Sequence, residues 1–315
     1  MSRFAHFKAL LFFVCLLAFA PANAQTPAPT PTVVLPSSER PRLVAERSSL
    51  YCAGYIQHER MPRMPEIVGA EEEQEQRKYS DGDFVYLNAG SQQGIKEGQT
   101  FQIIRPRGDV KGVHKTKSGF IGTYVQDVGQ LQVFKVRENT SAAQVTFACD
   151  QILLGDLLAP VPDRESPVQR AEESLDRFTD PSGKQHGRLM MAKDGREMVT
   201  RHDIVYIDLG AEDQVKRGDY LTIYRPLGTG DITRVGDGEI THARSAGFQS
   251  DRYRGGGFSN QAARVNAKQV KRDRPSMPRK VVGEMVVLDV QTRTATAIIT
   301  RVASEVHTGD WVEIQ

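Results

Sequence analysis

The chain has 315 residues, 39% of them hydrophobic and 25% charged, with a formal net charge of +2. That length suits two domains. A balance so near neutrality excludes binding to nucleic acid or acidic partners through net charge, leaving only local patches to act electrostatically.

Residues 1–24 read as an export signal, with Arg3 and Lys8 ahead of an apolar run, Ala9–Ala20, and Ala22-Asn23-Ala24 as a small-x-small cleavage site. The run of 12 residues is shorter than the roughly 20 needed to span a bilayer. Phe13-Val14 before Cys15 lacks the small residues of a lipoprotein signal. The expected address is therefore outside the cytoplasm, in the periplasm or cell envelope, with no stable transmembrane segment after cleavage.

Gln25–Arg42 is rich in Pro, Thr and Ser and reads as an extended linker reaching about residue 44. Cleavage leaves two cysteines, Cys52 and Cys149, an even pair in an exported chain and so a disulfide candidate, with two buried free thiols as the alternative. A bond would close a loop of about 100 residues, worth roughly 3–5 kcal/mol. Leu50–Gln57 reads as a short strand carrying Cys52 and tied by it to the first domain, residues 45–162.

Within that domain Phe84–Leu87 is a continuous apolar strand, expected to be buried on both faces. Phe101 and Ile103 alternate with Thr100 and Gln102 as in a half-buried strand that Arg105-Pro106 ends. Gly129–Val136 and Ala142–Phe147 follow, and Gly155–Leu158 closes the unit. Residues 163–186 form a charged linker with a short helix expected around Val168–Phe178. Leu189–Thr200 is expected to be a hairpin with Asp194-Gly195 at its tip.

The second domain, residues 187–315, repeats the first. Asp203–Gly228 aligns without a gap on Asp83–Gly108 at an offset of 120, with 10 of 26 pairs identical, among them Gly90, Gly98, Arg105 and Pro106. The later halves align at an offset of 154, from Gly283 on Gly129 to Asp310 on Asp156. The change of offset locates a 34-residue insertion within Thr229–Val281. Short strands, glycine turns and little helical periodicity predict a mostly β chain: two tandem small β-barrels from an internal duplication.

No catalytic constellation is visible. The histidines lack metal-ligand spacing, no Gly-x-Ser-x-Gly elbow occurs, and Gly228-Thr-Gly230 and Gly255–Gly257 do not sit between a strand and a helix. Asp231, Asp237 and Glu239 match no calcium loop. The chain is therefore read as non-enzymatic, with no cofactor or metal. The insertion is the most informative stretch: eleven Lys and Arg against five Asp and Glu give it a local charge of +6. Arg252, Tyr253, Arg254, Lys268, Lys271 and Arg272 are its candidate ligand contacts, for an anionic polymer such as cell-wall glycan; a solvated loop is the alternative. Arg105 and Arg225, at equal places in both repeats, are either paired ligand contacts or pins for their own barrels.

The motifs VYLNAG…GIKEGQTFQIIRP and VYIDLG…VKRGDYLTIYRP, each followed by a Gly-started strand and a closing Gly-Asp, resemble the C-terminal β-domain of the flagellar assembly protein T family. That resemblance implies an envelope assembly module without catalysis. Gly218-Asp219-Tyr220-Leu221-Thr222-Ile223 is similar to the core of LysM modules, which implies peptidoglycan binding, although here it lies in a strand followed by Arg-Pro. The leading expectation is an exported protein binding peptidoglycan or another anionic envelope polymer. The rivals are an assembly module packing on an envelope complex and a cell-wall hydrolase.

Overall fold

The computed structural model describes residues 42–113, 117–171, 174–227, 247–249, 254–257 and 273–315. Residues 1–41, where the export signal and most of the proline-rich linker are expected, and most of the insertion lie outside them. A five-residue helix, α1 (Arg47–Tyr51), precedes β1 (Tyr55–Gln57), β2 (Ile67–Ala70), β3 (Phe84–Leu87), β4 (Thr100–Val113), β5 (Ser118–Val136), β6 (Ser141–Ala148) and β7 (Leu157–Pro160). The second half holds β8 (His186–Ala192), β9 (Met198–Val199), β10 (Ile204–Ile207), β11 (Tyr220–Pro226), β12 (Gly247–Gln249), β13 (Arg254–Gly257), β14 (Arg279–Val290), β15 (Ala295–Val302), β16 (Val306–His307) and β17 (Trp311–Ile314).

The first sheet runs β2-β3-β6-β5-β4-β7. Its end strands meet through the Glu66–Leu157 bridge, with Ile67 N donating to Asp156 O at 2.9 Å, so the sheet rolls up on itself. The second is a closed barrel, β10-β15-β14-β11-β17-β8, which is the same order read from β8. Matching backbone bonds recur in both: Gly98 N donates to Val133 O (2.8 Å) and Gly218 N to Val287 O (2.9 Å). Gly90 and Gly210 are required where they stand, since a Cβ there would lie 2.2 Å from Arg137 O or 2.5 Å from the Arg293 carbonyl carbon. Each barrel encloses its own aliphatic core, around Val85, Ile103, Leu131 and Val145 in the first and Val205, Ile223, Met285 and Ile299 in the second.

The segment from Arg42 to His58 is a strap lying between the barrels. Val44, Ala45 and Leu50 pack on Val286, Leu288 and Ile298 of the second barrel, while Ala53 and Ile56 pack on Ile204 and Tyr206. Its backbone is satisfied from both sides, as a buried backbone must be. From the first barrel, Asp127 Oδ2 accepts from Gly54 N (2.8 Å) and Gln102 Nε2 donates to Tyr51 O (3.0 Å). From the second, Thr294 donates to Ile56 O (2.7 Å), Thr296 to Gly54 O (3.0 Å) and Tyr206 to Ala53 O (2.5 Å). Gly54, at φ +69°, makes the turn; a Cβ there would meet Val125 O at 2.9 Å and Tyr206 Oη at 3.1 Å. Cys52 and Cys149 form a disulfide with Cα atoms 5.5 Å apart, fastening the strap to the end of β6, one residue beyond Ala148. Lys117 reaches across to Glu212 (2.9 Å) and Asp213 (2.7 Å), and residues 41–315 form one compact unit.

Several local expectations are corrected. The described part of Val168–Phe178 is not helical: Val168 bridges Leu43 and Arg177 O accepts from Val281 N, so this backbone is spent on neighbouring strands. The helix lies instead at Arg47–Tyr51, so only Tyr55–Gln57 of the expected Leu50–Gln57 strand is extended. Asp194-Gly195 does turn the chain, but both edges of β8 are taken by β10 and β17, and β9 pairs with β16 instead of folding back. Gln102 is fully buried through its bonds to Tyr51 and Gln130. Tyr86 on β3 is 43% exposed, whereas the matching Tyr206 is fully covered by the strap. Among the described residues no helix is long and apolar enough to cross a membrane.

Buried carboxylates hold the second barrel to its surroundings. Glu284 accepts from Arg301 Nη2 (2.6 Å), Thr300 (3.1 Å) and Gln315 (3.1 Å), and pairs with Arg170 of the linker. Burial opposes its ionisation, yet these donors hold its pKa below the ordinary 4.5. Glu313 is held low in the same way, against its own burial, by Arg279 and the amides of Ser182 and Gly183. A depressed folded-state pKa gives stability that is complete above the unfolded value and is lost as pH falls through the folded one. Melting temperature is therefore expected to fall as pH drops below about 4.5. Glu284→Gln should flatten that fall, and an unchanged profile would remove Glu284 from the account.

Candidate functional site

The insertion leaves the second barrel after β11 and returns at β14, and an unusual row of side chains crosses four strands there. The register sets Arg188 on β8 opposite Trp311 on β17, and Trp311 opposite Tyr224 on β11. Residues directly opposite on antiparallel strands hold their Cβ atoms about 5 Å apart, so such neighbours stack without distortion. The Arg188 guanidinium lies 3.5 Å over the Trp311 ring, Trp311 stacks on Tyr224 at 6.3 Å, and Arg279 on β14 sits 4.7 Å from the Tyr224 ring centre. His186 flanks Trp311 at 5.5 Å. Trp311 and Tyr224 are half-buried, so their edges remain open to solvent.

The row is electrostatically prepared. Arg279 donates to Thr179 O (2.9 Å) and Asp180 O (2.6 Å) and pairs with Glu313, which fixes it against Tyr224. Burial and the nearby Glu313 charge push the Tyr224 hydroxyl pKa up despite Arg279 and Arg188, so the ring is neutral at physiological pH. Arg188 donates to Gly309 O at 2.6 Å, and burial lowers its pKa against the pull of Asp208. The corresponding row in the first barrel is Glu66, Leu157, Ile104 and Val125, with neither aromatic ring nor cation. The feature belongs to the second barrel, from which residues 229–281 extend.

Of the residues singled out by sequence, Arg252, Tyr253, Lys268, Lys271 and Arg272 lie outside the described residues. Arg254 begins β13, which pairs antiparallel with β12 in a two-stranded sheet. Arg105 and Arg225 are placed clearly. Arg105 grips Asp156 with Nε and Nη2, both at 2.7 Å, and donates to Gln151 O; Arg225 grips Asp310 at 2.6 and 2.8 Å and donates to Glu305 O. Each fork clasps the turn that leads into the closing strand of its own barrel. They lie in separate barrels and do not converge.

Sequence reasoning missed the row itself. Its one legible signal is the chain's single tryptophan, placed in the closing strand. A separate cleft of about 410 Å³ beside the disulfide is lined by Lys193, Asp194, Arg196, His202 and Asp203, but Arg196 there is paired with both aspartates. No protein-family model matches the chain, and no curated protein matches it, so the functional reading rests on its own residues.

Proposed function

We propose that the protein is an exported, non-enzymatic component of the cell envelope that binds peptidoglycan or another anionic envelope polymer through its second barrel. The observation that carries this reading is the Arg188–Trp311–Tyr224–Arg279 row at the root of a stretch with a local charge of +6. Aromatic edges suit sugar rings, while the half-buried Arg188 guanidinium and the basic stretch beyond the row suit carboxylates and phosphates. The leader and the LysM-like GDYLTI stretch point the same way. The buried carboxylates Asp156, Asp310, Glu284 and Glu313 are committed to arginines that hold strands together, which favours a binding role over acid–base chemistry.

Co-sedimentation of the mature protein with purified peptidoglycan tests this at low and physiological salt, beside a variant carrying Gln at Arg252, Arg254, Lys271 and Arg272. Pelleting is expected to fall severalfold with salt and with the variant, since screening shortens to about 8 Å at physiological ionic strength. Trp311 is the only fluorophore of its kind, so soluble wall fragments should also shift its emission. Protein that stays in solution throughout, with an unchanged spectrum, overturns the proposal. An assembly role is the second reading, favoured by an exposed aromatic face on the first barrel.

A further inference from the structure

The outer faces of the two barrels correspond position by position, yet only one is covered. In the second barrel Ile204 and Tyr206 on β10, Val286 and Leu288 on β14 and Ile298 on β15 are all buried, roofed by the strap. At the aligned offsets the first barrel places Phe84, Tyr86, Gln132, Phe134 and Gln144. No segment of the described chain lies over them: Phe134 is 68% exposed and Tyr86 43%, with Phe84 packed edge-on to Phe134 at 5.8 Å. The outward side of a solvated antiparallel sheet is ordinarily polar. Three aromatic rings on one outward face, in a barrel whose twin uses that face to hold a peptide segment, are therefore a docking surface in form.

Charge defines the occupant further. The β2–β3 loop carries Glu71, Glu72, Glu73 and Glu75 along one border of this face. A Cβ placed on Gly69 would sit 3.3 Å from Glu73 Oε2 and 3.5 Å from Tyr86 Cδ2, which puts that carboxylate beside the ring. Phe84 shares a small cavity with Glu71, Glu72 and Asp83. Carboxylates beside aromatic rings, in a loop with four glutamates, repel an anionic glycan and would repel the same loop of a second copy. We infer that the outer face of the first barrel docks an apolar segment carrying basic residues from another protein, held as the strap is held on the second barrel. The inference is independent of the polymer-binding reading, which concerns the other barrel.

The probe is a synthetic peptide of residues 43–51 bearing Glu46→Lys, which keeps the strap's apolar anchors and makes it basic. Fluorescence anisotropy with the mature protein should give a Kd on the order of 100 µM. Phe134→Ser and, separately, Tyr86→Ser should each weaken it about tenfold. The pair Glu72→Gln with Glu73→Gln should weaken it about threefold, and salt should do the same. These positions are exposed, so the variants should keep the parent melting temperature. The proposal is overturned if the peptide does not bind, if a version with Arg47→Glu and native Glu46 binds equally well, or if Phe134→Ser leaves binding intact. It is also overturned if soluble wall glycan displaces the peptide, making this a glycan face, or if sedimentation shows self-association that Phe134→Ser abolishes, making it a dimer face.

Discussion

Arg164→Met is expected to lower the unfolding free energy by about 3–5 kcal/mol, the usual cost of removing one partner from a buried ion pair. Arg164 and Asp127 are nearly inaccessible, with side chains 3% and 0% exposed. Arg164 Nη1 donates both to Asp127 Oδ2 and to Leu50 O, and the same carboxylate oxygen accepts from Gly54 N. One guanidinium from the linker, one carboxylate from the first barrel and two strap backbone groups thus meet at a point. Methionine fills the volume but leaves Asp127 as a buried anion with only the Gly54 amide to solvate it. Asp127→Asn added to Arg164→Met should recover most of the loss, because replacing the whole pair removes the stranded charge. Urea unfolding of the three proteins measures this. A single variant within about 1 kcal/mol of the parent would show that strap and barrel hold together without the pair.

Removing the disulfide with Cys52→Ser and Cys149→Ser is expected to cost about 3–5 kcal/mol, since it frees a loop spanning a sequence separation of 97. Much of that loss acts through the unfolded chain, so the denaturant slope should rise as the unfolded state expands. The same bond fastens the strap to the end of β6, and Arg164 fastens it at Leu50 two residues away. The two perturbations should therefore be non-additive, with a coupling of about 1 kcal/mol or more in a double-mutant cycle. Additivity would mean that the strap leaves its groove in two independent pieces.

Much of the fold was legible because its determinants are local or periodic. The repeated glycines, the alternating strands, the closing Gly-Asp and the cysteine pair each carry their own physical reason. The strap was not legible. Val44, Leu50 and Ile56 show no period, and their meaning lies in Thr294, Thr296 and Ile298, more than two hundred residues away. The expected helix at Val168–Phe178 failed for a related reason: a backbone that finds partners on neighbouring strands has no need of its own turns. The cation–aromatic row was hidden because cross-strand register, and not spacing along the chain, brings Arg188, Trp311, Tyr224 and Arg279 together. The exposure of Tyr86 and Phe134 was hidden too, because an apolar strand looks the same whether or not its outer side is covered.

The strap also imposes an order in time. Ile56 and Gly54 accept hydrogen bonds from Thr294 and Thr296, at sequence separations of 238 and 242. In a chain delivered from its N-terminus, the strap thus emerges well before the strand that holds it. The first barrel can roll up on its own pairings, but β15 is itself a strand of the second barrel, so that barrel and its joint with the strap both wait for it. Completion of the chain is what tells the two faces apart: one is sealed from within, and the other is left for a partner.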